Sequence, residues 1–90
     1  MVGRRENRSE IYIGNKKIGA YLGTISVSLM RGNKKINLLA RGKKISKAVD
    51  LAEIARREFN LEYGTIETYS ENMKDGRVIS AIRIELIKKV

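Results

Sequence analysis

Apolar positions in this chain alternate between strand-like runs and helical spacings, and the two periods predict six elements. Ile11, Tyr12 and Ile13 form a short first strand that stops at Gly14. Ile18, Leu22, Ile25 and Leu29 then repeat at four, three and four residues, with Tyr21 beside the stripe. That spacing predicts a helix over about Lys16 to Arg31, with Asn15 as its cap and Gly32 at its left-handed stop. Gly19 and Gly23 weaken this helix but leave two flat positions on one side. Ile36, Leu38, Leu39 and Ala40 mark a central strand over Lys35 to Ala40. A second helix is expected over Ser46 to Phe59, with Ala48, Ala52, Ala55 and Phe59 on one flank. Val49, Leu51 and Ile54 widen its apolar arc beyond what one sheet face needs, which predicts contact with another subunit. Glu53 and Arg57 are spaced to pair on its exposed side.

Gly64 is expected to end the turn after this helix. Thr65 to Glu71 and Arg77 to Lys88 then read as a hairpin around Asn72-Met73-Lys74-Asp75-Gly76, with Asp75-Gly76 as the tight-turn pair. Ile82, Ile84 and Leu86 face one way in the last strand, while Arg83 and Glu85 face the other. Ser70, Glu71, Asn72 and Lys74 cannot cover a core, so the hairpin should extend past the body. The fold class is α+β: a two-layer β-α-β-α-β-β sandwich with a four-stranded mixed sheet, two helices and an extended C-terminal β-hairpin. The βαβ crossover should be right-handed. Residues 1–10 lack periodicity and read as a flexible basic arm, leaving 11–90 as the domain.

Composition narrows the chemistry. The 90 residues include no cysteine, histidine, proline or tryptophan. Disulfides, thiolate or imidazole metal sites and an imidazole base are excluded, and no cofactor is expected. No stretch reads as a signal peptide or membrane span, so an intracellular, cytoplasmic protein is expected. The formal charge is +9, unevenly distributed. Residues 1–47 carry 12 basic and 2 acidic side chains, whereas residues 48–90 carry 7 and 8. This asymmetry points to a directed electropositive surface and a polyanionic partner. Neither helix combines a lysine-rich face with a broad apolar one, so nucleic acid is favoured over membrane.

Enzyme readings find little support. Asp50 and Glu53 are explained by a solvated helix face, and Ser26, Ser28 and Ser46 have no histidine to activate them. Gly42-Lys43-Lys44 lacks the spacing of a phosphate-binding P-loop. A metal-dependent nuclease would need converging carboxylates that the chain does not group. Binding explains more residues. Gly14-Asn15-Lys16-Lys17 precedes one helix, and Arg41-Gly42-Lys43-Lys44, followed by Lys47, opens the other. Cations are disfavoured at a helix N-terminus, and an arriving phosphate reverses that cost. Strand-to-helix turns of a βαβ unit lie at one sheet edge, so the two groups form one platform. Arg41 is the fork-like phosphate ligand, and the lysines act as point charges. Lys74 and Arg77 flank the hairpin turn, which can follow a groove. Tyr12 and Tyr69 are candidates for stacking on bases, or for packing.

The stretches IYIGNKKIGAYL and LLARGKKISKAVDLAEIARREF resemble the Alba family, small basic chromatin and RNA-associated proteins characteristic of archaea. The resemblance runs from Ile11 to the last strand. It implies the β-α-β-α-β-β fold and a homodimer whose two hairpin arms reach along duplex DNA with little sequence preference. It also implies that Lys16 keeps a phosphate contact, with Lys17 standing where members often carry proline and Asn15 where they can carry a modifiable lysine. Arg41, Lys43 and Lys44 match the second basic loop, Arg77 lies near the arm, and Phe59 matches a position of contact between dimers. The expected function is non-sequence-specific double-stranded DNA binding that compacts or organises the chromosome. The alternative is an RNA chaperone or ribonucleoprotein subunit.

Overall fold

The β-branched and leucine-rich runs pair into one sheet because alternate residues find the same apolar layer. In the computed structural model, which describes residues 8–89, the element order is β1 (Arg8–Tyr12), α1 (Ile18–Met30), β2 (Lys35–Arg41), α2 (Ile45–Glu58), β3 (Leu61–Asn72) and β4 (Val78–Lys88). A 3-10 turn over Gly42–Lys44 joins β2 to α2. Strand order is β1-β2-β4-β3, with β1 parallel to β2 and the other two pairings antiparallel. This is the mixed four-stranded α+β sheet anticipated from the sequence.

Alternation sets the core. Ile36, Leu38 and Ala40 of β2 pair with Leu86, Ile84 and Ile82 of β4, and all six are buried against the helices. Tyr21 and Ile25 enter this layer from α1, and Ala48, Leu51, Ala52 and Ala55 enter it from α2. Each fully buried leucine or isoleucine there contributes about 1.5–3 kcal/mol of transfer free energy. Leu51 therefore belongs to the core. Of the expected surplus flank of α2, Ile54 is half-buried and Val49 stays 41% exposed. Ile18, Leu22 and Leu29 pack at the margin rather than the centre.

Several boundaries differ from expectation, each for a local reason. The sheet captures Arg8, Ser9 and Glu10 through pairing with Lys35, Ile36 and Asn37, so β1 starts within the segment assigned to the arm. The remainder of that arm, residues 1–7, lies outside the described residues. At β1, Ser9 Oγ lies 2.6 Å from Ser28 Oγ, which also accepts a bond from Asn33 Nδ2 at 2.9 Å. The turn into β3 is made by Asn60 in the left-handed region (φ 55°), not by Gly64. Gly64 instead sits at a register shift between Tyr63 and Ile66. A side chain there would run into Glu85 and Ile87, so glycine permits the close approach. Gly32, at φ 93°, takes the expected left-handed position after α1.

One polar cluster fastens α2 to β3. The Tyr63 hydroxyl donates to Glu53 Oε2 at 2.6 Å, while Arg56 lies 3.5 Å from Glu53 Oε1 and 5.3 Å above the Tyr63 ring. Arg57 also reaches Glu53, at the limit of 4.0 Å, so the expected Glu53–Arg57 pair is its loosest contact. The hydrogen bond from Tyr63, aided by Arg56, holds the Glu53 carboxyl below its ordinary pKa. Burial, then the bond to Glu53, pushes the Tyr63 hydroxyl up. Because Glu53 titrates lower when folded, its contribution is full above the unfolded pKa and is lost as pH falls through the folded one. Tyr63→Phe should lower the urea midpoint at neutral pH, with the gap to the parent protein closing under acid. A gap that stays constant from about pH 7 to about pH 3 would contradict this coupling.

Candidate nucleic-acid interface

Parallel pairing of Tyr12 with Leu39 brings the C-terminal ends of β1 and β2 to one edge, so both basic loops leave the sheet side by side. Two bonds join them. Lys44 Nζ donates to Asn15 Oδ1 at 2.6 Å, and Lys47 Nζ donates to the Gly14 carbonyl at 3.0 Å. Tyr21 stands behind both loops. Its buried hydroxyl accepts the Gly14 N–H at 2.7 Å and the Lys16 N–H at 3.3 Å. Lys47 Nζ also sits 5.5 Å from the centre of the Tyr21 ring. A tyrosine on an apolar helix stripe needs a partner for its hydroxyl, and here the partners are the loop's own amides.

This arrangement explains why α1 starts late. Asn15 has its side-chain oxygen taken by Lys44, and the Gly14 and Lys16 amides are turned toward Tyr21. Lys17 becomes the N-cap, with extended backbone (φ −71°, ψ 154°) and no side-chain cap. Lys16 and Lys17 thus precede the helix rather than occupying its first turn. Neither helix has an acidic residue in its first turn, and α2 also lacks a side-chain cap. The N-terminal amides of both helices and the surrounding cations present one field of positive potential.

Lys16, Lys17, Arg41 and Lys43 are exposed, while Lys44 and Lys47 are half-buried by the bonds between loops. Arg41 is not solitary: its Nη1 lies 3.2 Å from Glu71 Oε1 on the hairpin. The pair is exposed, so its attraction is screened and a phosphate can exchange for the carboxylate. Arg41 pairs across the sheet with Ala81, and the ladder of β3 with β4 continues through Ser70–Ser80, Glu71–Ile79 and Asn72–Val78. At about 3.4 Å per residue the hairpin overhangs the loops by about 10 Å. Lys74 is exposed at its tip, and Gly76 turns the chain at φ 91°. Arg77 is held by Asp75, with Nε to Oδ2 at 2.7 Å and its backbone N–H to Oδ1 at 3.1 Å. Phe59 is half-buried against the core. Among the described residues, no three histidine, cysteine or acidic side chains are grouped to hold a metal ion.

Charge and spacing point to the cations, but neither identifies Tyr21 as the post behind them or Glu71 as the counter-ion of Arg41. The apolar stripe places Tyr21 in the packing, although its hydroxyl signals that a polar partner lies nearby.

The fold and its cation-lined end define a class: small basic α+β proteins with a projecting hairpin beside two linked loops. The family model described as Alba matches residues 9–70. The DNA/RNA-binding protein Alba of Nanoarchaeum equitans is 35% identical over 88 residues, covering 89% of this chain and 98% of that protein. The DNA/RNA-binding protein Alba of Nitrosopumilus maritimus is 39% identical over 88 residues, covering 90% and 92%. Among solved structures, Alba from Thermoplasma volcanium superimposes with a TM-score of 0.80 at 34% identity, covering 89% of this chain and all of that one. The chain belongs to the Alba family.

If Tyr21 organises the loops, Tyr21→Phe should leave the apolar packing intact and release two amides. The expected cost is about 0.5–1.5 kcal/mol for each bond removed, read from urea unfolding. Hydrogen exchange should quicken at Gly14 and Lys16; unchanged protection there would contradict the role of the hydroxyl.

Proposed function

We propose that this protein is a non-sequence-specific nucleic-acid-binding protein that coats duplex DNA as a homodimer and helps organise the chromosome. The observation that carries the reading is the direct joining of two cation-bearing loops at one sheet end, beside two uncapped helix N-termini. Lys16, Lys17, Arg41, Lys43, Lys44 and Lys47 take backbone phosphates, and the arm carrying Lys74 and Arg77 tracks a groove. Residues 11–90 act as the binding domain, β1 extending it back to Arg8. Phosphate contacts give affinity with little base discrimination. The names of the relatives, DNA/RNA-binding proteins, support both polymers as ligands, so RNA is the second reading. The family is one of non-catalytic proteins, in keeping with a binding role. Among the described residues no helix is long and apolar enough to cross a membrane, and the proposed location is the chromosome in the cytoplasm.

Dimerisation is supported by apolar surface on the helix-bearing side of the sheet. Val49 on α2 is 41% exposed, and Ile66 and Val78 on the hairpin are exposed too. Register puts Ile66 and Val78 on the same face as Ile84 and Asn72, respectively. A second copy would cover these positions, and the accessible edge of Phe59 would serve contact between dimers. Val49→Glu should shift the species seen by light scattering toward the 10.2 kDa monomer. An unchanged mass would argue against this seat.

A salt-titrated competition between duplex DNA, duplex RNA and single-stranded RNA tests the function. Arg41→Ala with Lys43→Ala should weaken duplex binding across all sequences and reduce the log–log salt slope by about 2, one unit for each phosphate no longer held. Unchanged affinity and slope would defeat the platform.

A further inference from the structure

The helices cover one face of the sheet, and the opposite face carries two tyrosines that the phosphate platform does not use. Alternation puts Tyr12, Leu39, Arg41, Ala81 and Tyr69 on that second face: Tyr12 pairs with Leu39, Arg41 with Ala81, and Ala81 with Tyr69. Tyr12 is 70% exposed and Tyr69 39%. Between them lies a cleft of about 260 Å³, lined among others by Leu39, Arg41 and Glu71. Ala81 is buried and small, so the floor between Arg41 and Tyr69 is low. The two tyrosine backbones stand three strands apart, ~14 Å across the sheet at ~4.8 Å per strand, and two residues apart along it, which makes ~16 Å in all. That span leaves room for a flat ring against either phenol.

We infer that this cleft receives an unpaired base of single-stranded RNA, stacked on Tyr12 or Tyr69, while the adjoining phosphates lie on Arg41 and the basic loops. The inference rests on the proposed phosphate platform and adds to it a subsite for an unpaired base. Three features select this occupant. Arg41 belongs both to the cleft and to the cation-bearing end of the sheet, so a strand held there by its phosphates presents its bases to the tyrosines. On the same face, Glu71 pairs with Arg41 at 3.2 Å, and Glu67 lies 3.7 Å from Arg83. Glu71 also offers an acceptor at the rim, which a ribose 2′-hydroxyl can use and a deoxyribose cannot. Aromatic side chains on an open sheet face beside cations are a recurrent way of binding single strands, because every base has a π-face. A duplex keeps its bases stacked internally and gains nothing from the tyrosines.

Four fluorescein-labelled probes separate these contributions: an oligouridine of about ten nucleotides, an abasic strand of equal charge, an oligothymidine of equal length and a duplex DNA. Parent protein at fixed salt should prefer oligouridine to the abasic strand and to oligothymidine. Tyr12→Ala with Tyr69→Ala should lose at least about fivefold affinity for oligouridine, remove the preference over the abasic strand and leave duplex binding unchanged. Tyr12→Phe with Tyr69→Phe, which keep the rings, should restore the preference. Equal binding of the abasic strand and oligouridine by the parent protein would overturn the base cleft while sparing the platform. Equal binding of oligothymidine and oligouridine would overturn its assignment to RNA. Equal loss of duplex and single-strand binding in the alanine variant would overturn it too, since the tyrosines would then serve the platform or the fold. Failure of the parent protein to bind any probe at low salt would instead defeat the platform itself.

Discussion

Pairing β1 parallel to β2 is the constraint on which the candidate site depends. A parallel neighbour forces the chain to cross over through α1, so the ends of both strands finish at one edge with a helix starting after each. Two helix N-termini and two basic loops then converge without long-range design of any single contact. Had the first two strands paired as a hairpin, the loops after them would lie at opposite edges. Lys44–Asn15 and Lys47–Gly14 are the local bonds that this topology makes available.

Those bonds have an electrostatic cost. Lys44 and Lys47 are brought half out of water beside amides that carry partial positive charge, and each is compensated by a single neutral oxygen. Hydrogen bonds and the Tyr21 ring offset part of the repulsion, but no carboxylate enters the first turn of either helix. The acid nearest the platform, Glu71, arrives from the hairpin, and its exposed bond to Arg41 is weak enough to exchange. This end of the molecule thus carries an excess of positive charge, the basis on which a phosphate is proposed to bind there. The α2–β3 joint shows the contrasting solution, since Glu53 there meets Arg56, Arg57 and the Tyr63 hydroxyl together. Positive charge is balanced at the joint between α2 and β3 and largely unbalanced at the end proposed to bind nucleic acid.

The hairpin connects the two faces of the problem. Its register carries it beyond Arg41, it supplies Glu71 to the platform, and it presents Tyr69 to the open face. Gly64 makes that possible at the base of the arm, where the bulged strand runs against Glu85 and Ile87. The glycine was visible in the sequence as a break, yet its purpose depends on neighbours 21 and 23 positions away in the chain.

Much of the architecture was legible because it follows from local periodicity. The order of strands and helices, the core alternation of Ile82, Ile84 and Leu86, the Gly32 stop and the basic residues of both loops needed only spacing, turn chemistry and charge. What spacing could not supply was which polar group meets which. Asn15 looked like a cap because it precedes a helical stripe; tertiary structure gave its oxygen to Lys44 and handed the cap position to Lys17. Leu51 looked surplus until the sheet was in place to bury it. The sequence by itself determined the class of fold, the sign of the surface and the loops that carry it. Only the tertiary structure decided that Tyr21 orders those loops, that Glu71 answers Arg41 and that Tyr12 and Tyr69 share one face. Periodicity is a property of neighbours along the chain, whereas these contacts join groups from separate elements whose meeting is set by strand order and register.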